Sequence, residues 1–328
     1  MSIAIRVLAT AACVGFWSVP VSAQDFPSGP IEIVCTTQPG SGAANWCQMI
    51  AAELQKPDYL GVPVTVTFKS GGSNHEPVLY VSGKEADGHT LMHVSGSFYG
   101  YFNLPHYTKT YEDFQMLAQV ERHLYGVAVR CDDPDIKSWE DLVEFAKANP
   151  GELAMGSNKV GSIHHSHHVA LYDAAGIDVR FVPYESVGDV VKDVVGGHLR
   201  VGFAQPGGWN PHMDAGTICP LALLNDERLT EDANWKDVPT IVELGVEYRF
   251  PHQWQGFMVK AGTPEDRMDV IADALEKITQ SEEYKAYLSK QPHIVPKLVT
   301  DRQALDEDME ANLASTKDFM VKHEIISN

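Results

Sequence analysis

Apolar positions along the chain fall into short runs separated by longer segments with helical spacing. The run at 31–35 is apolar except for Glu32, and the residues at 62–68 alternate between apolar and polar, as half-buried strands do. Between them, Trp46, Ile50 and Leu54 share one face of a predicted helix at 45–55. Further strands are predicted at 91–94, 124–129, 153–155, 179–182, 201–204 and 221–224, and further helices at 139–148, 162–175 and 187–195. This alternation predicts an α/β fold with mostly parallel sheets.

Two segments rich in Gly and Ser follow predicted strands and precede predicted helices. They lie at 39–43 and at 156–162. In α/β folds, ligands bind at the carboxyl ends of strands, where small residues let the backbone approach and free helix amides favour an anion. One such turn is often only a tight turn. A pair of them, far apart in the sequence, is what a clamp with two lobes requires.

The first 23 residues are typical of a secretory leader. One basic residue, Arg6, precedes an apolar run at 7–19, and Val-Ser-Ala at 21–23 resembles a cleavage site. The alternative is an uncleaved anchor helix, although the run is short for a membrane span. Cleavage after Ala23 leaves 328 − 23 = 305 residues, enough for about two domains. We therefore expect an exported, periplasmic protein that is not inserted into a membrane.

The chain is strongly acidic, with 25 basic and 44 acidic residues and a formal net charge of −19. Without Arg6 the balance becomes 24 − 44 = −20. Such a surface repels DNA, RNA and anionic lipid, which argues against a nucleic-acid partner. A small anionic ligand remains compatible with this charge, since a few inward-pointing amides create a local positive site.

Four cysteines remain after the leader, and an even number in an exported chain indicates two disulfides. Four cysteines allow three pairings. The spacings contain no C-x-x-C, so a zinc knuckle or a thioredoxin-type site is not indicated. No Gly-x-Ser-x-Gly elbow or P-loop is present either, and we expect neither catalysis nor a cofactor.

Four histidines stand close together at 164, 165, 167 and 168. His164 and His168 share one face of the predicted helix, as do His165 and His168, so a metal site is one hypothesis. A periplasmic metal-binding protein or metal-dependent enzyme is therefore the alternative to a binding protein. The competing interpretation is that these side chains are solvated or line a polar surface, because no Glu-x-x-His motif or cysteine partner lies nearby.

Several short motifs occur in a characteristic order. They are FPSGPI at 26–31, PGSG at 39–42, ADGHTL at 86–91, KANPGEL at 147–153, GS at 161–162 followed by His165, AGIDV at 175–179, VPY at 182–184, VPT at 238–240, ELGV at 243–246, Trp254 and AGTP at 261–264. With these motifs in this order, the chain resembles the Bug-type receptors of tripartite tricarboxylate transporters, and the likeness extends over nearly the whole chain after the leader.

The resemblance implies a type II-like periplasmic-binding-protein fold, with two lobes joined by two crossing strands. We expect lobe one at 24–121 plus 252–328 and lobe two at 122–251, with the hinge in strands near 116–121 and 254–259. It further implies a monomeric receptor that captures a small carboxylate and delivers it to a membrane permease. A receptor that signals to a sensor kinase is a second possible output.

The expected ligand site combines both Gly/Ser loops with polar residues at other strand ends. Tyr184 should lie nearby, and Phe98 with Tyr99 should line the pocket. The residues expected to bind the ligand are Pro39, Gly40, Ser41, Gly42, Ala43, Ala44, Ser95, Ser97, Phe98, Ser162, His165 and Tyr184.

Three segments depart from the family pattern. Ala43-Ala44-Asn45 lacks the family's usual Asp, FKSGGSNH at 68–75 replaces ENRPGAGG, and Glu185-Ser186 stands where Lys-Gly is common. The missing Asp argues against an α-amino acid as the ligand. We expect a mono- or dicarboxylate without an essential ammonium group.

The predicted elements also favour one disulfide pairing. Cys35 ends the first strand and Cys47 lies in the first turns of the next helix, while Cys131 and Cys219 belong to strands that we place side by side. Because a disulfide needs Cα atoms within about 7 Å, we predict Cys35–Cys47 and Cys131–Cys219. The first bond would stiffen the first Gly/Ser loop.

Overall fold

The computed structural model describes residues 26–247, 252–291 and 293–327, so the predicted leader at 1–23 lies outside the described residues. The strands are β1 (Ile31–Cys35), β2 (Val64–Phe68), β3 (Thr90–Ser95), β4 (Phe114–His123), β5 (Tyr125–Arg130), β6 (Ala154–Asn158), β7 (Arg180–Tyr184), β8 (Val201–Ala204), β9 (Ile218–Leu224), β10 (Gln253–Lys260) and β11 (Ile294–Val299). The helices are α1 (Gly42–Leu54), α2 (Gly71–Ser82), α3 (Phe98–Tyr101), α4 (Trp139–Ala148), α5 (Ile163–Ala175), α6 (Val187–Val195), α7 (Pro206–Asp214), α8 (Glu265–Gln280), α9 (Glu282–Leu288) and α10 (Arg302–Lys322).

These strands form two separate sheets, and each is the centre of one lobe. The first sheet has six strands in the order β11-β4-β10-β3-β1-β2, and the second has five in the order β7-β6-β8-β5-β9. The chain leaves the first sheet at Leu124, between β4 and β5, and re-enters it with β10. The two-lobed α/β fold expected from the sequence is therefore present.

Both sheets are mixed, so the expectation of mostly parallel sheets is wrong. Parallel pairing occurs where helices connect the strands, between β1 and its neighbours β2 and β3, and between β6 and its neighbours β7 and β8. The strands near the crossing pair antiparallel instead, β10 with β3 and β4, and β5 with β8 and β9. A strand that arrives from the other lobe is free of the helical crossover that parallel neighbours require.

Helices cover both faces of each sheet, and each face has its own apolar core. In lobe one, the Trp46 ring of α1 stacks on Phe257 of β10, with ring centroids 5.1 Å apart. In lobe two, Trp209 of α7 is fully buried. Burying a large apolar side chain contributes about 1.5–3 kcal/mol. Packing therefore accounts for the tryptophans at 46 and 209 without any contact with a ligand.

Both predicted disulfides are present. The Cα atoms of Cys35 and Cys47 are 6.3 Å apart, and those of Cys131 and Cys219 are 4.9 Å apart. The first bond connects the end of β1 to α1 and so restrains the loop between them. The second joins the residue after β5 to β9, its antiparallel neighbour. Among the described residues, no helix has the length and apolarity needed to cross a bilayer.

Candidate functional site

In each sheet, the parallel strands end at the same edge, so their carboxyl ends lie side by side there. In lobe one these are the ends of β1, β2 and β3, and in lobe two the ends of β6, β7 and β8. Ligands of α/β proteins bind outside such edges. Both Gly/Ser loops begin there, one at the end of β1 and the other at the end of β6.

The lobe-one loop is open to solvent. Pro39, Gly40 and Gly42 are exposed, and Gly40 adopts φ +85°, a conformation that favours glycine. The Ser41 hydroxyl caps α1 by accepting a hydrogen bond from the Ala44 amide at 3.1 Å. The amides of Gly42 and Ala43 have no acceptor within the described part of the chain. This helix N-terminus therefore offers free N–H groups to an anion.

The lobe-two loop has a similar form but a buried setting. Ser162 is fully buried, caps α5 by accepting from the His165 amide at 3.2 Å, and donates to the Lys159 carbonyl at 2.6 Å. The His165 ring stacks on Phe181, with centroids 4.0 Å apart, and its Nδ1 accepts from the Gly161 amide at 3.3 Å. The side chains of Ser162 and His165 thus hydrogen-bond within the loop itself and hold it in shape.

The lobe-two loop also forms a close contact with lobe one. A Cβ atom on Gly100 would overlap the carbonyl oxygen of Gly161, and one on Gly96 would lie 2.7 Å from Cδ1 of Ile163. Ile163 is buried in the same apolar cluster as Phe98. The two lobes are therefore in contact. At Gly100 the absence of a Cβ atom lets its backbone approach the backbone of Gly161.

The remaining predicted site residues lie in different surroundings. Ser97 is buried at the start of α3, and Ser95 lies opposite Gln255 of β10. The Tyr184 hydroxyl donates to Asp193 at 2.6 Å, within its own lobe. Phe98 is fully buried and packs edge-on against Tyr101, so its ring is part of the lobe-one core rather than a wall of an open pocket.

A buried polar network near the crossing strands was not predicted from the sequence. His93 of β3 hydrogen-bonds Thr36 at 2.9 Å through Nδ1 and Gln255 of β10 at 2.9 Å through Nε2. Gln255 also lies 3.0 Å from Nε2 of His123, at the end of β4. The carboxylate of Glu121 lies 2.8 Å from the same His123 nitrogen and accepts from the Tyr284 hydroxyl at 2.8 Å.

The network continues into lobe two. The Gln205 amide nitrogen, before α7, lies 2.6 Å from Nδ1 of His123. Nearby, the Tyr125 hydroxyl lies 2.6 Å from Nε2 of His164 on α5. Charged or polar residues inside otherwise apolar strands, such as Glu121 and His123, were the one sequence signal for this network.

Burial keeps several of these histidines neutral. It lowers the pKa of His93 to about 4 and that of His164 to about 3, in both cases with a smaller contribution from His123. Burial alone lowers the pKa of His165 to about 4. At neutral pH these imidazoles therefore contribute hydrogen bonds to the region between the lobes and no positive charge.

The geometry gives the histidine-cluster hypothesis no support. The side chains point to different partners: His164 to Tyr125, His165 to Phe181, and Nε2 of His168 to the Val179 carbonyl at 3.0 Å. Within the described residues, the only cluster whose atoms approach metal-ligand spacing is Cys35, Cys47 and His93. Two of these three are joined in a disulfide.

Two α/β lobes connected by crossing strands, each with a helix N-terminus that follows a parallel strand, have the architecture of a two-lobed solute-binding protein. Residues 48–316 match the family model of the tripartite tricarboxylate transporter family receptor, TctC. The chain belongs to this family, so it is a receptor and not an enzyme.

Individual relatives agree with this assignment. The chain is 29% identical to protein BugT of Bordetella pertussis over 251 residues, 75% of each protein. Its fold is similar to that of an R. palustris protein solved with adipate, at 22% identity and a TM-score of 0.78, covering 90% of this chain and 97% of the other. MatC from Rhodopseudomonas palustris, solved with bound malate, gives 18% identity and a TM-score of 0.75, covering 90% and 99%.

Proposed function

We propose that the chain is an extracytoplasmic receptor that captures a small carboxylate between its lobes and delivers it to a membrane permease. The observation that carries the proposal is the pair of helix N-termini, α1 and α5, that follow parallel strands in different lobes. Each such terminus favours an anion by about 0.3–2 kcal/mol. Lobe contact at Gly100 and Gly161 would then exclude water from the bound acid.

Neutral donors rather than a cation should recognise the acid. Neither Gly/Ser loop contains an arginine, and the nearby buried histidines His93, His164 and His165 are neutral. Backbone amides and bridging water tolerate different carbon skeletons better than a bidentate guanidinium does. The two R. palustris proteins of the same fold were solved with adipate and malate, both dicarboxylates. We include mono- and dicarboxylates in the proposed class.

The proposal includes a domain division and a location. Lobe one comprises 24–121 and 252–328, and lobe two comprises 122–251, with β4 and β10 as the strands that flex on closure. Residues 1–23 direct export to the periplasm, and family membership implies the permease partner. A sensor kinase in place of the permease would use the same closed form.

A thermal-shift screen of the leader-free protein tests the ligand class. Carboxylates, amino acids, sugars and divalent metals form the panel, with a chelator-treated sample as a control for bound metal. A ligand at 100 times its dissociation constant stabilises the folded state by about 2.7 kcal/mol. We expect at least one carboxylate to raise the melting temperature in a saturable way. Stabilisation by sugars or metals, with every carboxylate inactive, would rule out the proposed ligand.

A further inference from the structure

A polar pocket of about 220 Å³ is lined by residues of β4, β11, α3, α10 and the start of β10, none of which belongs to either Gly/Ser loop. Trp254 and Arg122 are paired across β10 and β4, so their side chains project from the same face of the sheet. The residues that determine its chemistry are Tyr99, Arg122, His252, Lys297, Asp308 and Asn312.

One side of the pocket is cationic. Arg122 and Lys297 both line it, and within the described residues neither forms an ion pair with a carboxylate. One Arg122 nitrogen donates to Asn225 at 3.1 Å, whereas its buried Nε has no acceptor. Burial lowers the pKa of His252, and the charges of Arg122 and Lys297 lower it further, while the charge of Asp226 opposes them. Arg122 and Lys297 are thus both close enough to act on His252. The chain as a whole carries a net charge of −19.

The other side is an anchored carboxylate. Asp308 accepts from the Tyr99 hydroxyl at 2.7 Å and from Asn312 at 3.0 Å. Tyr99 in turn accepts from the Trp254 indole N–H at 2.7 Å. Burial and the charge of Asp308 raise the pKa of Tyr99 well above its usual value, so the phenol stays a donor. A carboxylate has about four acceptor positions, so Asp308 can accept further donors.

From this arrangement we propose that the pocket is a second ligand site, specific for a small monocarboxylate that also carries a hydroxyl or ammonium group. The carboxylate pairs with Arg122 and Lys297, the guanidinium being suited to two parallel hydrogen bonds. The hydroxyl or ammonium group donates to Asp308. The charge of Asp308 repels a second carboxylate, so dicarboxylates bind poorly. This selectivity separates the pocket from the proposed site between the lobes.

The Trp254 indole N–H reports on occupancy because it begins the hydrogen-bonded chain that ends at Asp308. In ¹⁵N-labelled leader-free protein, its signal is assigned by loss in Trp254→Phe and followed during titration with L-lactate or L-serine. We expect a saturable shift with one or both, which also distinguishes a hydroxy acid from an amino acid. Propionate, which lacks the donor, and succinate, which adds a carboxylate, should bind at least about tenfold more weakly.

Charge-matched variants test which residues bind. Arg122→Gln with Lys297→Gln should weaken binding by at least about tenfold, whereas Arg180→Gln with Lys290→Gln, at exposed positions elsewhere, should leave it unchanged. If the first pair fails to fold, Lys297→Gln alone changes only an exposed side chain. Asp308→Asn should remove the preference for serine over propionate and improve succinate binding. No saturable shift up to about 20 mM of either probe, or an unchanged response in the Arg122 and Lys297 variants, would overturn the proposal.

Discussion

The two Gly/Ser loops have similar sequences but opposite environments. The loop before α1 is exposed, is restrained by Cys35–Cys47 and leaves the amides of Gly42 and Ala43 free. The loop before α5 is buried, and the side chains of Ser162 and His165 are occupied within their own lobe. The same local pattern therefore gives an exposed helix N-terminus in lobe one and, in lobe two, a helix N-terminus that is packed against the other lobe.

The difference originates in the helices that follow. The first turn of α1 carries Ala43, Ala44 and Asn45, which leave the loop accessible. By contrast, α5 begins Ile163-His164-His165, which are all buried, and Ile163 packs against lobe one. The environment of a Gly/Ser loop thus depends on the surface of its helix as much as on the loop.

Disulfide removal should give the largest effects and should separate the two lobes. The chain-entropy estimate for the 88-residue separation of Cys131 and Cys219 is about 4–5 kcal/mol, against about 3 kcal/mol for the 12-residue separation of Cys35 and Cys47. In urea titrations, we expect the variant with both Cys131 and Cys219 replaced by Ala to lose more free energy of unfolding than the variant with both Cys35 and Cys47 replaced.

Ligand binding should respond in the opposite order. Only Cys35–Cys47 restrains the exposed loop, so its removal should weaken carboxylate binding in calorimetry, whereas loss of Cys131–Cys219 should leave the affinity of the folded protein unchanged. Equal effects of both variants on affinity would contradict the separation between the loops.

Gly100→Ala should prevent the lobes from closing. Its Cβ would overlap the Gly161 carbonyl oxygen, and overpacking typically costs about 1–3 kcal/mol. Because the overlap exists only when the lobes touch, we expect about 5- to 150-fold weaker ligand binding with little change in the stability of the free protein. Gly188→Ala, whose nearest neighbour atom would be 3.7 Å away, is the control. Unchanged affinity in Gly100→Ala would mean that closure does not contribute to binding.

The two capping serines should differ in stability. Ser162→Ala leaves the buried amide of His165 without its acceptor and should cost about 2 kcal/mol, whereas Ser41→Ala at a partly exposed cap should cost about 0.5–1 kcal/mol. The control Ser138→Ala, at the N-cap of α4, gives the stability cost of removing an ordinary helix cap. Urea denaturation gives all three values. A smaller loss for Ser162→Ala than for Ser41→Ala would show that the lobe-two loop is not packed as described.

The buried histidines should make stability depend on pH. Burial lowers the pKa of His168 to about 3, below its unfolded value of about 6.5, so the unfolded chain binds the proton first as pH falls. Stability is therefore complete above pH 6.5 and declines below it, by about 1.4 kcal/mol at pH 5.5 for one such group. The variant His168→Gln should show a smaller change of unfolding free energy with pH between pH 6.5 and 5, measured in unfolding titrations. An unchanged slope would mean that this imidazole does not stay neutral.

Local features of the fold were predictable from the sequence. The first strand, its loop and the helix with Cys47 follow from period, turn residues and spacing within about two dozen residues. The antiparallel pairing of the crossing strands was not predictable in this way, because it joins segments that are far apart in the chain. The contact between His93 and Gln255 spans 162 residues.

Near strand ends, residue type alone did not indicate which side chains are buried in the core. Phe98 stood just past a strand and was expected in the pocket, yet α3 turns it into a core that includes Met309 and Met320 of α10. The second pocket depends on Arg122, Lys297 and Asp308, which come from three elements. No sequence spacing could connect these residues.

In the proposed closed form, one small carboxylate contacts both helix N-termini at once. The most direct measurement is a backbone-amide NMR titration of the leader-free protein with the carboxylate that gives the largest thermal shift. We expect the amides of Gly42, Ala43, Ile163 and His164 to shift together and to saturate at one ligand per chain. Saturation confined to the amides of one lobe, or shifts that avoid both helix N-termini, would contradict it.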